Sequence, residues 1–190
     1  MIDETLKTYI ASVKKIPDDE LELLASWAQY KALKKGQQLL KEGDVCRSFY
    51  LVKKGYLRTY YTNTNGDTIN LNFTFEGKFT TNMRSFKDKS PSEMIIEAGE
   101  DAEVWVFDVD AIPDRYTTHP QITFARRIAV RILVASEEHS DLFKIYTPTE
   151  RYRFIEKNNP GLLQRVSLSQ IASYLGVSRE TLSRIRAKND

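Results

Sequence analysis

Five glycines stand at positions 36, 43, 55, 66 and 77, and the runs between them are short and rich in aromatic and branched residues. That pattern favours strands. The runs are 48–52, 56–61 and 68–73. The last (Thr68, Ile69, Asn70, Leu71, Asn72, Phe73) alternates polar and apolar residues, as a half-buried strand does. Asn65-Gly66 between the last two runs is a hairpin signal, because both residues tolerate positive φ. Two more strands are expected at 93–98 and 103–108. So many short strands at this spacing imply a sandwich, jelly roll or barrel.

The flanks of this region read as helical. Pro17-Asp18-Asp19-Glu20 places acids at a helix start, and Leu21, Leu24, Ala25 and Ala28 follow at helical spacing. A second zone runs from Ile112 to Ile145. His119-Pro120 is a helix start, and neither glycine nor proline interrupts from there until Pro148. A helix of about 25 residues is expected, with an apolar stripe wide enough to pack on the β region and also meet a second subunit. Thr147-Pro148-Thr149-Glu150 then caps and opens another helix, and residues 158–161 (Asn-Asn-Pro-Gly) stop it. The division is therefore 1–110, 111–146 and 147–190.

The chain has 190 residues, of which 41% are apolar and 28% charged, proportions of a folded soluble protein. No apolar run approaches the roughly 20 residues of a membrane helix. The acidic start, Met1-Ile2-Asp3-Glu4, lacks the layout of a signal peptide. Cys46 is the single cysteine, which excludes an internal disulfide and argues against cysteine-ligated zinc or iron–sulfur. A cytoplasmic location is expected. Charge is uneven: residues 151–190 hold eight Lys/Arg against three acids, a net of +5, and the first 150 carry −3 of the total +2. A basic end on a mildly acidic body suits a polyanionic partner.

Residues 167–188, SLSQIASYLGVSRETLSRIRAK, carry the most specific signal. Ser167 and Gln170 form a capping box, and Ile171, Ala172 and Leu175 give the helix that follows one apolar face. Gly176 ends it, Val177 plugs the turn, and Ser178 caps a second helix whose Leu182 and Ile185 turn inward. Two short helices joined by a glycine turn make a helix-turn-helix, with small Ala172 where they cross. The N-terminal part of the second helix would enter the major groove. There Arg179 and Arg184 suit guanine, and Glu180 suits the cytosine amino group. Ser178 and Thr181 suit phosphate contacts, and Ser183 lies on the same polar side.

At these residues the chain resembles the Crp–Fnr family of transcription regulators. Residues 35–44 (KGQQLLKEGD) and 49–58 (FYLVKKGYLR) look like the opening strands of its cyclic-nucleotide-binding jelly roll. The long helix is similar to its dimerisation helix, and 178–184 (SRETLSR) to its recognition helix. The resemblance implies an α+β protein: an N-terminal jelly-roll sensor domain (1–110), a dimerisation helix (111–146) and a helix-turn-helix DNA-binding domain (147–190). It also implies duplex DNA with a near-palindromic site, a second copy of the chain and RNA polymerase as partners. Half-sites would lie roughly 34 Å apart or a multiple of that.

Two departures from the family matter. Its phosphate cassette carries a Gly-Glu pair and, later, an Arg beside a small residue. Here Gly77 is followed by Lys78, and 90–94 (SPSEM) holds Ser92 but no Arg. A buried phosphate without a cation is costly, so cyclic AMP is expected to bind poorly or not at all. Lys78 or Arg84 would have to stand in. No cofactor is expected, and the pocket either takes another ligand or is filled by its own side chains. Few residues follow the recognition helix, so the family's final wing hairpin is expected to be absent. Haem sensing is not expected, His119 and His139 reading as surface or interface groups. Jelly-roll metalloenzymes need converging histidines, and 36–108 contains none, so no enzymatic activity is expected. The alternative is a sensing module that acts on a protein partner, which would not require Arg179, Glu180 and Arg184 beside a complete helix-turn-helix.

Overall fold

The computed structural model describes residues 3–13, 18–111 and 120–187. Expectations placed on Pro17, on 112–119 with His119, and on Lys188 lie outside the described residues. Among the described residues, eight strands pair antiparallel into two four-stranded sheets. The first has the order β1 (Ala28–Leu33), β8 (Ala102–Asp108), β3 (Ser48–Lys54), β6 (Phe79–Thr80). The second has the order β2 (Gln38–Leu40), β7 (Ile95–Ala98), β4 (Leu57–Thr62), β5 (Thr68–Thr74). Chain-adjacent strands mostly alternate between sheets, the order of a jelly roll.

Both faces of the first sheet are covered. Phe49, Leu51, Trp105 and Phe107 pack against α1 (Glu4–Val13), α2 (Asp18–Trp27) and α4 (Pro120–Ile145). The residues between them, Tyr50, Val52 and Val104, face the inside of the roll with Leu57 and Ile96. Burial on both sides makes β3 and β8 nearly continuous apolar runs. A short helix, α3 (Met83–Asp88), is inserted before β7.

Three local expectations are corrected. Ala28 does not extend the preceding helix but opens β1 opposite Phe107. The helix ends at Trp27, whose indole N–H donates to the Asp108 carbonyl at 2.6 Å. The 62–68 connection does join β4 and β5 as a hairpin, but Asn65 and Gly66 do not both take positive φ. Gly66 alone takes positive φ, at 85°, while the Asn63 side chain accepts from the amides of Asn65 and Asp67. In β5, Asn70 is buried, Ile69 is only partly covered, and the outer face of the second sheet is not solvent-facing. The C-terminal helices lie on it.

Those helices are α5 (Pro148–Asn158), α6 (Pro160–Arg165), α7 (Leu168–Leu175) and α8 (Arg179–Ala187). Thr147 and Glu150 form a full capping box at the start of α5. Pro160 does more than stop α5: it occupies the first turn of α6, a helix that sequence patterning does not reveal. Tyr56, Phe73 and Phe75 of the roll share one core with Tyr152, Ile155, Leu162, Ile171, Leu175 and Leu182. The C-terminal unit is therefore packed onto the roll rather than tethered to it.

Candidate nucleic-acid interface and effector pocket

The 167–187 segment folds as a helix-turn-helix. The Ser167 hydroxyl accepts from the Gln170 amide at 3.4 Å. Gly176 adopts φ 69°, which sends its own N–H and that of Val177 back to the carbonyls of Ser173 and Ala172. Ile171, Ala172, Leu175, Leu182 and Ile185 are all buried, with Leu182 fully so. Ala172 occupies the crossing, where a longer side chain would push α7 and α8 apart. The Ser178 hydroxyl caps α8 by accepting from the Thr181 amide at 3.1 Å.

This leaves Ser178, Arg179, Glu180, Ser183 and Arg184 exposed together around the first turns of α8. Thr181 differs: it is half-buried, and its hydroxyl receives that of Ser178 at 3.1 Å. The Glu180 carboxyl is held below its ordinary range. Its own backbone N–H contributes most, with Arg179 and Arg184 nearby. It is thus ionised at neutral pH and acts only as an acceptor, the form that suits an exocyclic amino group.

Several residues that orient this unit escaped sequence reasoning. The Ser173 hydroxyl accepts from the Asn70 amide and donates to the Thr68 carbonyl, both at 3.0 Å, joining α7 to the edge strand β5. The Tyr174 ring meets Phe73 edge-on at 5.3 Å and stacks on His139 of α4 at 4.9 Å. Burial lowers the His139 pKa and pushes the Tyr174 phenol up to about 12, so both are neutral near pH 7. His139 is therefore a half-buried joint residue rather than a free surface group. Arg165 reaches from α6 to Glu76 and Glu100 of the roll, while its guanidinium lies over Tyr56 and Phe75. Nothing in residue spacing marks these contacts, whose hydrogen bonds join positions 35 to 105 residues apart.

The four candidate pocket residues meet different fates. The amide of Gly77 bonds the Val52 carbonyl, and the space a Cβ would fill lies 3.0 Å from the Tyr9 ring. Lys78 and Arg84 are exposed. Ser92 is buried, and its hydroxyl donates to the Met94 carbonyl at 2.6 Å. It also accepts from Asn82 Nδ2 at 2.8 Å and from the Met94 amide at 3.1 Å. A hydroxyl has one proton and two lone pairs, and Ser92 has committed all three. Ser85 is similarly used, accepting from the Cys46 amide and donating to the Ser90 carbonyl. Phe79 packs against Phe107 and Phe124, which closes α4 onto the roll. The cassette residues satisfy one another, and no buried cation stands among the four to receive a cyclic phosphate.

The described fold, a jelly roll followed by a long helix and a helix-turn-helix, is that of the Crp/Fnr transcription regulators. Residues 30–119 match the family model of the cyclic nucleotide-binding domain. Among solved structures, FixK2 from Bradyrhizobium japonicum is similar at 20% identity and a TM-score of 0.69, over 85% of this chain and 83% of its own. The c-di-GMP-responsive global regulator CLP of Xanthomonas campestris is similar at 18% and 0.67, over 90% and 91%. A CRP-family transcriptional regulator from Thermus thermophilus follows at 16% and 0.64, over 83% of each. No curated protein matches the chain in sequence. No described helix is long and apolar enough to cross a membrane.

Proposed function

We propose that the protein is a homodimeric, sequence-specific DNA-binding transcription regulator that is not controlled by cyclic AMP. The carrying observation is the exposed set Arg179, Glu180, Ser183 and Arg184 on the first turns of a capped α8. These groups match base edges, and the helix N-terminus beside them attracts phosphate. The chain's structural neighbours include regulators of transcription, which supports the same function. A second copy is implied by α4, where Val130, Leu133 and Val134 are 59%, 52% and 49% exposed on one stripe. Two-fold pairing along that stripe would bury it and present two recognition helices to a near-palindromic site.

Titration of duplexes selected by the protein from a random pool tests the proposal. Affinity is expected to fall steeply with salt, as phosphate neutralisation requires. Arg184→Ala is expected to cost about 1–3 kcal/mol on the selected site and to relax one base position. An equal loss on all sequences would reduce Arg184 to a phosphate contact. Absence of salt-dependent duplex binding would overturn the function in favour of a module acting on a protein.

The saturated hydroxyl of Ser92, with the Ser85 hydroxyl engaged by Cys46 and Ser90, supports effector independence from cyclic AMP. The similar structure of CLP belongs to a c-di-GMP-responsive regulator, which is compatible with an effector other than cyclic AMP on this fold. Melting curves with millimolar cyclic AMP or cyclic GMP are expected to superimpose on the ligand-free curve. A ligand at 100 times its dissociation constant would add about 2.7 kcal/mol, and a shift of that size would refute the proposed independence.

A further inference from the structure

Arg151, in the first turn of α5, has an arrangement that its position in the sequence does not suggest. Its Nε donates to the carbonyls of Tyr146 and Leu142, at 2.9 and 3.3 Å. Its Nη2 donates to the Phe143 carbonyl at 3.0 Å, and its Nη1 to the Leu175 carbonyl at 3.1 Å. The Phe143 ring lies 4.5 Å from Cζ, beneath the guanidinium. Leu142 and Phe143 belong to the last turn of α4, and Tyr146 directly follows it; Leu175 ends α7, immediately before the turn at Gly176.

The last carbonyls of a helix lack intrahelical partners and carry partial negative charge. Here two such helix ends meet at one planar cation whose donors diverge in fixed directions. One set of donors holds the end of the helix proposed to pair the subunits. Another holds the first helix of the DNA-binding pair, at the residue from which the chain turns into α8. Phe143 fixes the plane of the fork by stacking, and His139 and Tyr174 pack the same seam. Ser173 and Arg165, by contrast, tie the C-terminal unit to the roll.

We infer that Arg151 is a positioning residue for DNA recognition: it fixes the angle between α4 and the helix-turn-helix, and through that angle the half-site spacing a dimer accepts. The inference rests on the DNA-binding function proposed above. Rotation at this joint is amplified along the lever arm to α8, and in a two-fold dimer both recognition helices move in opposite senses. Base contacts within one half-site are unaffected, because Arg179, Glu180 and Arg184 travel with α8 as a unit.

The test uses the full chain with Arg151→Lys and Arg151→Gln. Lysine keeps the cation at the helix ends but loses the planar fork, and glutamine removes the charge. Melting curves and far-ultraviolet spectra establish that each variant folds. Duplexes carry either one half-site, selected by the unaltered protein, or two, with spacing varied in single base pairs across a helical turn. The unaltered protein is expected to prefer its best spacing over one displaced by half a turn by about tenfold or more. In Arg151→Lys that ratio falls towards one while affinity for the single half-site stays the same. Nitroxide labels at Glu138 and Ser183, both exposed, report the joint without DNA, in labelled protein diluted into unlabelled. Their distance distribution is expected to be narrow in the parent and broad in both variants. An unchanged spacing profile, or an unchanged label distribution, would overturn the role of Arg151. If the unaltered protein selected no duplex, the DNA function would fall and the spacing role with it. The label distances would then still decide whether Arg151 holds the joint.

Discussion

A chain carrying Leu133→Asp and Val134→Asp is expected to sediment as a monomer and to lose about 10²–10⁴-fold in affinity for a two-half-site duplex. Its far-ultraviolet spectrum should not change. Both side chains are about half exposed in the single chain, so they contribute little to its own core. The opposite side of α4 does that work through Phe124, Ala125 and Ile128, buried against α2 and the first sheet. In a two-fold interface each carboxylate would face its own copy or a near neighbour, bringing four like charges into an apolar seam. Each monomer would still read one half-site, so single-half-site affinity should persist. Equilibrium sedimentation and duplex titration measure the two effects. A double variant that remained dimeric would place the subunit contact elsewhere.

Gly99→Ala is expected to lower stability by about 3 kcal/mol, the upper part of the range for overpacking. A Cβ at this position would sit 1.9 Å from Cε2 of Tyr56, a distance no side chain tolerates. The ring is not free to move aside. It is 2% exposed, it stands edge-on to Phe73 at 6.0 Å and tilted to Phe75 at 5.3 Å, and the Arg165 guanidinium lies over it. Displacing Tyr56 would open the core that the roll shares with the C-terminal helices. For a chain of this size that cost corresponds to roughly 6–12 °C in melting temperature. Gly161→Ala is the control: nothing lies within 4 Å of its Cβ position, and a neutral or slightly higher melting point is expected. Equal behaviour of the two variants would mean that Tyr56 does not anchor the interface between the units.

Local chemistry was legible in the sequence where a residue acts on its chain neighbours. Ser167, Gly176 and Ser178 cap and turn by bonding groups within a few residues, so spacing alone locates α7 and α8. The inward residues of that motif are set by helical periodicity, and all are buried as the pattern requires. The positions of β3, β4, β5, β7 and β8 followed from the same local logic, while β1 and β6 did not. Which face of β5 is covered did not, because Asn70 is buried by α7, a helix that arrives about 100 residues later. The missed helix α6 has a related cause: Pro160 reads equally as a stop and as a first-turn residue, and only packing of Leu162 into the shared core decides between them.

The sequence by itself determined β3, β4, β5, β7 and β8, the long helix, the two helices α7 and α8 and the polar face of α8, since each depends on periodicity and on bonds between near neighbours. Tertiary structure alone decided what surrounds them. It closed the cassette by engaging both Ser92 lone pairs and its proton, which no motif records. It packed the helix-turn-helix unit against the roll through Tyr56, Phe73 and Arg165, and pinned that unit to α4 through Arg151. The physical reason is the same in each case. A hydrogen bond or ring contact between distant residues depends on where the folded backbone carries them, and a guanidinium that ends on carbonyl oxygens leaves no signature in the identity of the residues that supply them.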